Sequence, residues 1–438
     1  MTQMEPVRSR RDVPLGYLDS IPSSWDDVRL GSILRERKLE VGSASGRTKL
    51  LSLTMHGVIP RDLDNVVGKM PASFDTYQHV RTGDIVFCLF DVQETPRTVG
   101  LATEDGMITG AYTVTVVAKE SAHPGFVSYA YLAYDQHKAL RPLYAGLRNT
   151  IRSGDFRNIR IPFPPLHEQV RIATYLDRET AEIDAFIGDQ EKLIELLTER
   201  RTNAIARAVS GRVVTHGPRR DSGSPWLGEV PAHWEIGRVA YAFRLTLGKM
   251  VNAGTAEGEP RPYLRAGNIQ ESGVDLNEVK MMPATAQDVM VLSLRRNDVV
   301  VVEGGAGYGR SDVLREDLDG WIFQNHVIRA RALGNHSPGY LNYLVKAARG
   351  MGHFKALGSF ATIPNLSAER LCGLEYPMIP LAEQEAIAEH LDRETTDIDA
   401  AIADSREAIA LSKERRAALI SAAVTGKIDV REHRTAKA

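Results

Sequence analysis

The feature that most constrains this chain is that much of it is written twice. Sliding the sequence along itself by 209 residues lays Arg10-Arg11-Asp12 on Arg219-Arg220-Asp221, Pro22 on Pro231 and Trp25 on Trp234. A slide of 215 lays Leu176-Asp177-Arg178-Glu179-Thr180 on Leu391-Asp392-Arg393-Glu394-Thr395, and fourteen of the 21 positions from 165 to 185 are identical. The six-residue difference is absorbed between these flanks, where Asp84-Ile85-Val86 falls on Asp298-Val299-Val300 but most side chains differ. A repeat as long as a domain excludes a solenoid, whose period is about 20 to 50 residues. It calls for two equivalent folds, and 438 residues at about 150 per domain leave room for both.

The best-matched flank of each copy reads as one long helix. From Glu168 to Val209 there is no proline and one glycine, and apolar residues recur at Ile172, Leu176, Ile183, Ile187, Ile194, Ile205 and Ala208. Spacings of mostly 4, 7 and 3 put them on one helical face. The second copy repeats the stripe at Ile387, Leu391, Ile398, Ile402, Ile409, Ile420 and Ala423, and Gly211 and Gly426 supply the stops. Forty-two residues make about 63 Å of helix, a rod that cannot bury its stripe alone. The other copy's helix is the expected partner.

Residues 25–160 and 234–375 read differently, as short strands and turns with a few helices. Strands are expected at Asp84–Phe90, Tyr112–Val117, Asp298–Val302 and Trp321–Ala330, and helices at 127–140 and 338–351. The chain therefore divides into a globular domain at 10–164, a helix at 165–211, a second globular domain at 219–379, a second helix at 380–426 and a polar tail at 427–438.

Charge and composition then limit function. Fifty-four basic against 56 acidic residues give a net charge of −2, so any contact with nucleic acid is local rather than through bulk positive charge. Cys88 and Cys372 stand far apart outside any ligand cluster and are expected as buried free thiols in a reducing compartment. The longest apolar run, Ile85–Phe90, is far below the roughly 18 residues of a membrane span, and no apolar stretch follows the basic start, so a cytoplasmic chain is expected. The twelve histidines form no H-x-x-x-H or H-E-x-x-H pair, so no metal site is expected. Acid pairs such as Asp62 with Asp64 and Asp317 with Asp319 have turn composition. Gly304-Gly305-Ala306-Gly307-Tyr308-Gly309-Arg310-Ser311 matches a phosphate loop except that Arg310 stands in place of lysine. No clear helix follows it, so a glycine-rich hairpin competes with the alternative of an NTP-binding enzyme.

Two motifs open each helix and each domain. Ile161-Pro162-Phe163-Pro164-Pro165-Leu166-His167-Glu168-Gln169 recurs as Tyr376-Pro377-Met378-Ile379-Pro380-Leu381-Ala382-Glu383-Gln384, and Ile21-Pro22-Ser23-Ser24-Trp25 recurs as Val230-Pro231-Ala232-His233-Trp234. Together with Tyr263-Leu264-Arg265-Ala266-Gly267-Asn268-Ile269, these resemble the specificity subunit of type I restriction-modification systems over nearly the full chain. Departures are mild: His167 replaces the common alanine, and Phe163 and Met378 replace leucine. The resemblance implies an α+β fold with a pseudo-two-fold internal repeat. Two globular α/β-mixed target recognition domains would be separated by two long helices in an antiparallel coiled coil, packed through the stripes above. It implies a non-catalytic chain that reads a bipartite sequence in double-stranded DNA. Two modification subunits would bind S-adenosylmethionine and methylate adenine N6, and restriction (motor-nuclease) subunits would join them. No cofactor is then expected in this chain, with S-adenosylmethionine, ATP and Mg on the partners and no membrane involved. The absence of an Asn/Asp-Pro-Pro-aromatic motif agrees with catalysis lying elsewhere. A coiled-coil scaffold without DNA readout is the remaining alternative.

The candidate DNA contacts are local basic segments. Arg141, Arg148, Arg152, Arg157 and Arg160 face one acid, Asp155, and a second basic run spans Arg29 to Lys49. In the second copy Lys249, Arg265, Arg310, Arg349 and Lys355 are the foremost candidates, among further cations such as Arg244, Arg261, Arg295, Arg296 and Lys346. Phosphate contacts need cations on loops, and base reading favours Arg with Asn or Gln beside it, as with Asn149, Asn158, Asn252, Asn268 and Gln270. Glu199-Arg200-Arg201 and Glu414-Arg415-Arg416 occupy equivalent helix positions, which suits either interhelical pairing or docking of identical partners.

Overall fold

The computed structural model describes residues 10–15, 18–61, 71, 73–213, 217–250, 257–356 and 365–430. Asp62, Asp64, Asn252 and most of the 427–438 tail lie outside the described residues. Two compact units emerge, one from residues 1–190 with 407–438 and the other from 191–406. The division falls inside both long helices, Leu166–Val209 and Leu381–Val424.

In the first unit a four-stranded antiparallel sheet has the order Leu34–Glu36, Thr113–Val117, Ile85–Phe87, Val99–Leu101. The all-apolar central strand faces two layers, as strand alternation requires. Ile85 and Phe87 enter the main core, whereas Val86 enters a smaller one with Val80 and Val114. The helix Pro124–Gln136 supplies Phe126 and Tyr131 to the main core, where the Phe87 ring meets Tyr131 and Phe156 edge-on at 4.9 Å. Ile172 and Leu176 of the first long helix and Ile420, Ala423 and Val424 of the second close this core. Asp184 pairs with Arg416 while Leu176 shares a core with Ile420, so within this unit the two helical segments run antiparallel.

The second unit repeats the sheet order with Phe243–Leu247, Val327–Ala332, Val299–Val302 and Ser311–Val313. The same alternation sends Val299 and Val301 to one core and Val300 and Val302 to another. The first of these cores holds Trp234, Tyr340 and Tyr376 with Ile387 and Leu391, and Ile205, Ala208 and Val209 of the first long helix complete it. The second core belongs to a three-stranded sheet of Lys280–Ala284, Glu259–Leu264 and Ile322–Phe323. Trp321–Ala330 is therefore two strands in two sheets, not one. The turn at Gln324-Asn325-His326, closed by Val327 N–H to the Gln324 carbonyl at 2.9 Å, separates them. The helix expected at 127–140 starts earlier and stops earlier, at Pro124–Gln136, because His123 caps it and Lys138 turns left-handed at φ +48°.

Both helix stops follow the sequence. Gly211 and Gly426 adopt φ of +70° and +64°, and a side chain at either would collide with the Pro231–Trp234 or Pro22–Trp25 pair of its own unit. The last carbonyls are capped from a distance: Arg10 donates to Thr425 and Gly426, and Arg219 donates to Ser210 and Gly211. Along the stripes, Ile172, Leu176, Ile183, Ile187, Ile387, Leu391, Ile398 and Ile402 are buried. Ile194 and Ile409 are only half-buried, and each is the first stripe residue past the point where the division between the units crosses its helix. Cys88 is buried, but Cys372, at the exposed end of a short helix, is half-buried.

Candidate nucleic-acid interface

Each unit carries the same frame, and the duplicated motifs are its contacts. The indole N–H of Trp25 donates to Glu168 at 3.2 Å, and that of Trp234 donates to Glu383 at 2.9 Å. The neighbouring glutamines are fully buried. Gln169 accepts from the His123 N–H and donates to the Ser121 and Pro164 carbonyls. Gln384 accepts from the Ser337 N–H and the Tyr376 hydroxyl and donates to the Ile379 carbonyl. A further matched set holds the domain helix to the long helix. Tyr129 donates to Asp177 and Tyr343 to Asp392, each hydroxyl also meeting a buried threonine, Thr180 or Thr395. Burial pushes the Tyr129 phenol up to about 12, the Thr180 bond opposing and the Asp177 charge adding to it. Of the helix arginines, Arg201 pairs with Asp399 at 2.8 Å and Arg416 with Asp184 at 2.9 Å, so interhelical pairing accounts for the second Arg of each Glu-Arg-Arg.

On this shared frame the two units present unlike charged surfaces. In the first unit Arg148 lies in the turn between Tyr144–Ala145 and Thr150–Ile151, stacked over the Phe90 ring at 4.8 Å and paired with Asp91. Arg152 precedes the short helix Ser153–Asn158 and Arg157 lies in its last turn; both are exposed. Arg160 lies apart from these, held by Asp27 across the pairing of Asp26–Arg29 with Arg160–Phe163. Arg37, from the other basic run, is held by the buried Asp84, whose carboxyl burial raises despite Arg37 and Arg81 nearby.

The second unit's candidates are spread more widely. Lys249 pairs with Asp288 and Arg265 with Glu278. Arg310 and Arg349 come together on Glu271, at 3.1 and 2.7 Å. Lys355 is exposed on the short helix His353–Ala356. Asn268, expected beside base-reading arginines, is instead a buried structural group that accepts from the Arg265 N–H and donates to the Asp275 carbonyl. Asn149 donates to Glu94, Asn158 to the Gly154 carbonyl and the exposed Gln270 to the Gly267 carbonyl. The acids that hold these cations, Asp91, Glu271, Glu278 and Asp288, were not singled out by sequence, because each is remote in the chain from its arginine or lysine. Arg329 was missed as well; burial and the neighbouring Arg331 lower its guanidinium to about 10, and it bridges the Val291 and Ser293 carbonyls and Thr246.

The phosphate-loop lookalike joins Val299–Val302 to Ser311–Val313 as an antiparallel hairpin. A strand rather than a helix N-terminus follows it, and Ser311 is buried against Asn342. Its geometry is that of the glycine-rich hairpin, not of a nucleotide cradle. Among the described residues no group of His, Cys, Asp and Glu is arranged to hold a metal ion, and no helix is long and apolar enough to cross a membrane. The Asp317 carboxylate accepts from the Arg296 N–H as a turn residue does.

Duplicated frames with dissimilar charged surfaces define a chain built to present two different faces. Comparison with known proteins shows what such a chain is similar to. Residues 107–196 match the family described as the type I restriction modification DNA specificity domain. The chain is 25% identical over 300 residues to a putative type I restriction enzyme MjaX specificity subunit of Methanocaldococcus jannaschii, covering 65% of this chain and 63% of that one. It is 22% identical over 239 residues to the EcoKI specificity subunit of Escherichia coli K12, covering 53% and 50%. Each match thus spans less than two thirds of the relative's length. In fold it is similar, at a TM-score of 0.62 and 17% identity, to a chain solved in work on complex assembly and conformational transition of the type I R-M system, over 93% of this chain and 99% of that one. Over these spans the chain is similar to type I restriction-modification specificity subunits, the family its duplicated motifs resemble.

Proposed function

We propose that this chain is the DNA-reading, non-catalytic subunit of a type I restriction-modification complex. Residues 10–164 read one half of a bipartite target and 219–379 read the other. The observation that carries the reading is the pairing of like frames with unlike surfaces. Trp25–Glu168 and Trp234–Glu383 hold equivalent positions, while Arg148, Arg152 and Arg157 in one unit have no counterparts in the Arg310–Glu271–Arg349 group of the other. A reader of two different half-sites needs just that, because phosphate contacts alone carry no sequence information. A scaffold without readout has no use for the difference.

Chemistry in this reading belongs to partners: two modification subunits with S-adenosylmethionine transfer the methyl group to adenine N6, and restriction subunits use ATP and Mg. The chain would work in the cytoplasm, where that DNA is. Exchanging residues 25–160 for those of a relative and mapping adenine methylation across a host genome tests it. One half-site should change and the other persist. If both changed together, or methylation continued on the old target, the modular reading would fall.

A further inference from the structure

The glycine-rich hairpin of the second unit has a use in the same surface. Gly305 and Gly309 adopt φ of +79° and +74°, where only glycine rests without strain. A Cβ on Gly309 would lie 3.1 Å from Arg349 Cδ, and one on Gly307 would lie 3.4 Å from Arg310 Cδ. The bare loop thus lets two long cationic side chains lie along it. Both end on one oxygen: Arg310 Nε and Arg349 Nη1 donate to Glu271 Oε1 at 3.1 and 2.7 Å. Among the described residues these are the only hydrogen bonds the two guanidiniums make, so most of their five N–H donors apiece are unused. The arginine side chains are 30% and 29% exposed and the Glu271 side chain 58%, so the carboxylate is the outer and more easily displaced member. Lys346, half-buried one turn before Arg349 on the helix Pro338–Gly350, adds a third cation whose charge is felt by Glu271 and Asp312.

A carboxylate oxygen shared by two guanidiniums occupies the place of a phosphate oxygen. A phosphodiester spreads one negative charge over two non-bridging oxygens, and free of the tether that limits Glu271 to a single oxygen here, it can engage the donors left unused. We propose that Arg310 and Arg349 form a clamp for a DNA backbone phosphate, and that Glu271 is its built-in competitor, filling the clamp until a docked duplex displaces it. This rests on the DNA-reading function above. The competitor lowers attraction to arbitrary sequence, which a chain of net charge −2 already keeps low, and leaves the clamp to duplexes held in place by other contacts. Burial works to raise the Glu271 carboxyl, but the Arg349 and Arg310 pairings outweigh it and keep it ionised below its ordinary range.

The test is salt-dependent binding of a fluorescent duplex of arbitrary sequence to the full chain. Glu271→Gln preserves shape and removes the charge. It should tighten binding and steepen the salt slope by about 0.9, so that the loss between about 50 and 200 mM salt grows about 3.5-fold. Adding Arg310→Ala and Arg349→Ala to that variant should abolish the gain. An unchanged slope and affinity in a folded Glu271→Gln protein would overturn the competitor. If the two alanines also left binding intact while Arg152→Ala or Arg157→Ala weakened it, the clamp would fall and the DNA-reading function would stand. A chain and variants that bound no duplex at low salt would overturn both.

Discussion

Replacing Gln384 with leucine removes an amide of zero exposure whose bonds tie three segments of the second unit together. Its oxygen accepts from the Ser337 N–H at 2.8 Å, at the start of the helix Pro338–Gly350, and from the Tyr376 hydroxyl at 2.7 Å. Its nitrogen donates to the Ile379 carbonyl at 2.7 Å, just before the long helix. Leucine is close in volume, so packing changes little and the loss is polar. The Tyr376 hydroxyl can turn, but the Ser337 N–H and the Ile379 carbonyl are left buried without these bonds. At about 1 to 3 kcal/mol for each stranded group, the expected loss is about 2 to 6 kcal/mol. For a unit of about 200 residues, each kcal/mol lowers the melting temperature by about 2 to 4 °C. Native-state hydrogen exchange read on the amides of 338–350 measures the loss locally. Gln169→Leu should produce the matching loss at 124–136, through the His123 N–H and the Ser121 and Pro164 carbonyls. A loss under about 1 kcal/mol for Gln384→Leu would refute the reasoning, since it would mean that shape rather than hydrogen bonding places glutamine there.

Gly426→Ala should destabilise the first unit by more than the roughly 1 to 2 kcal/mol of a left-handed residue, because its Cβ would also lie 2.6 Å from Pro22 Cγ; differential scanning calorimetry beside the equivalent Gly211→Ala reads both. Exchanging the charges in Arg416→Asp with Asp184→Arg should recover most of the stability lost by either change alone, and a double-mutant cycle in urea should give a coupling of about 1 kcal/mol; no coupling would mean that the pair is a spectator. Arg152→Ala and Arg157→Ala, at exposed positions, should each flatten the salt dependence of duplex binding by about one if they meet phosphates, or relax one base position of the target if they read bases.

The long helices were legible because their evidence is local and repeated: period, missing proline and terminal glycine all point one way, and they run as Leu166–Val209 and Leu381–Val424. The strands with continuous valine, such as Val299–Val302, were legible for the same reason. The reason for the Glu-Gln ending of the helix-entry motif was not. Glu168 answers Trp25, 143 positions away, and nothing near either residue reports the other. The three-stranded sheet of the second unit was hidden too, since the β-branched and aromatic residues of Ile322–Phe323 and Val327–Ala332 read as one strand until a turn sends them to different layers. In the candidate interface the sequence marks cations and not their counter-ions. Arg160 and Lys249 are as basic in sequence as Arg152, yet the fold gives them Asp27 and Asp288.

The division of both helices between the units has a consequence for the order in which the protein is made. The second unit is one uninterrupted stretch, 191–406, so every side chain of its core has been synthesised by the time the chain reaches its own end. The first unit is different: the residues that seal Trp25, Phe126 and Leu176 are Ile420, Ala423 and Val424, which leave the ribosome only after the whole of the second unit. The half of the protein that is born first is therefore the half that closes last. Until then its apolar surface stays open, and during that interval a nascent chain is exposed to aggregation and to chaperones. A premature stop between codons 407 and 419 would spare the whole of the second unit and leave the earlier one without its seal.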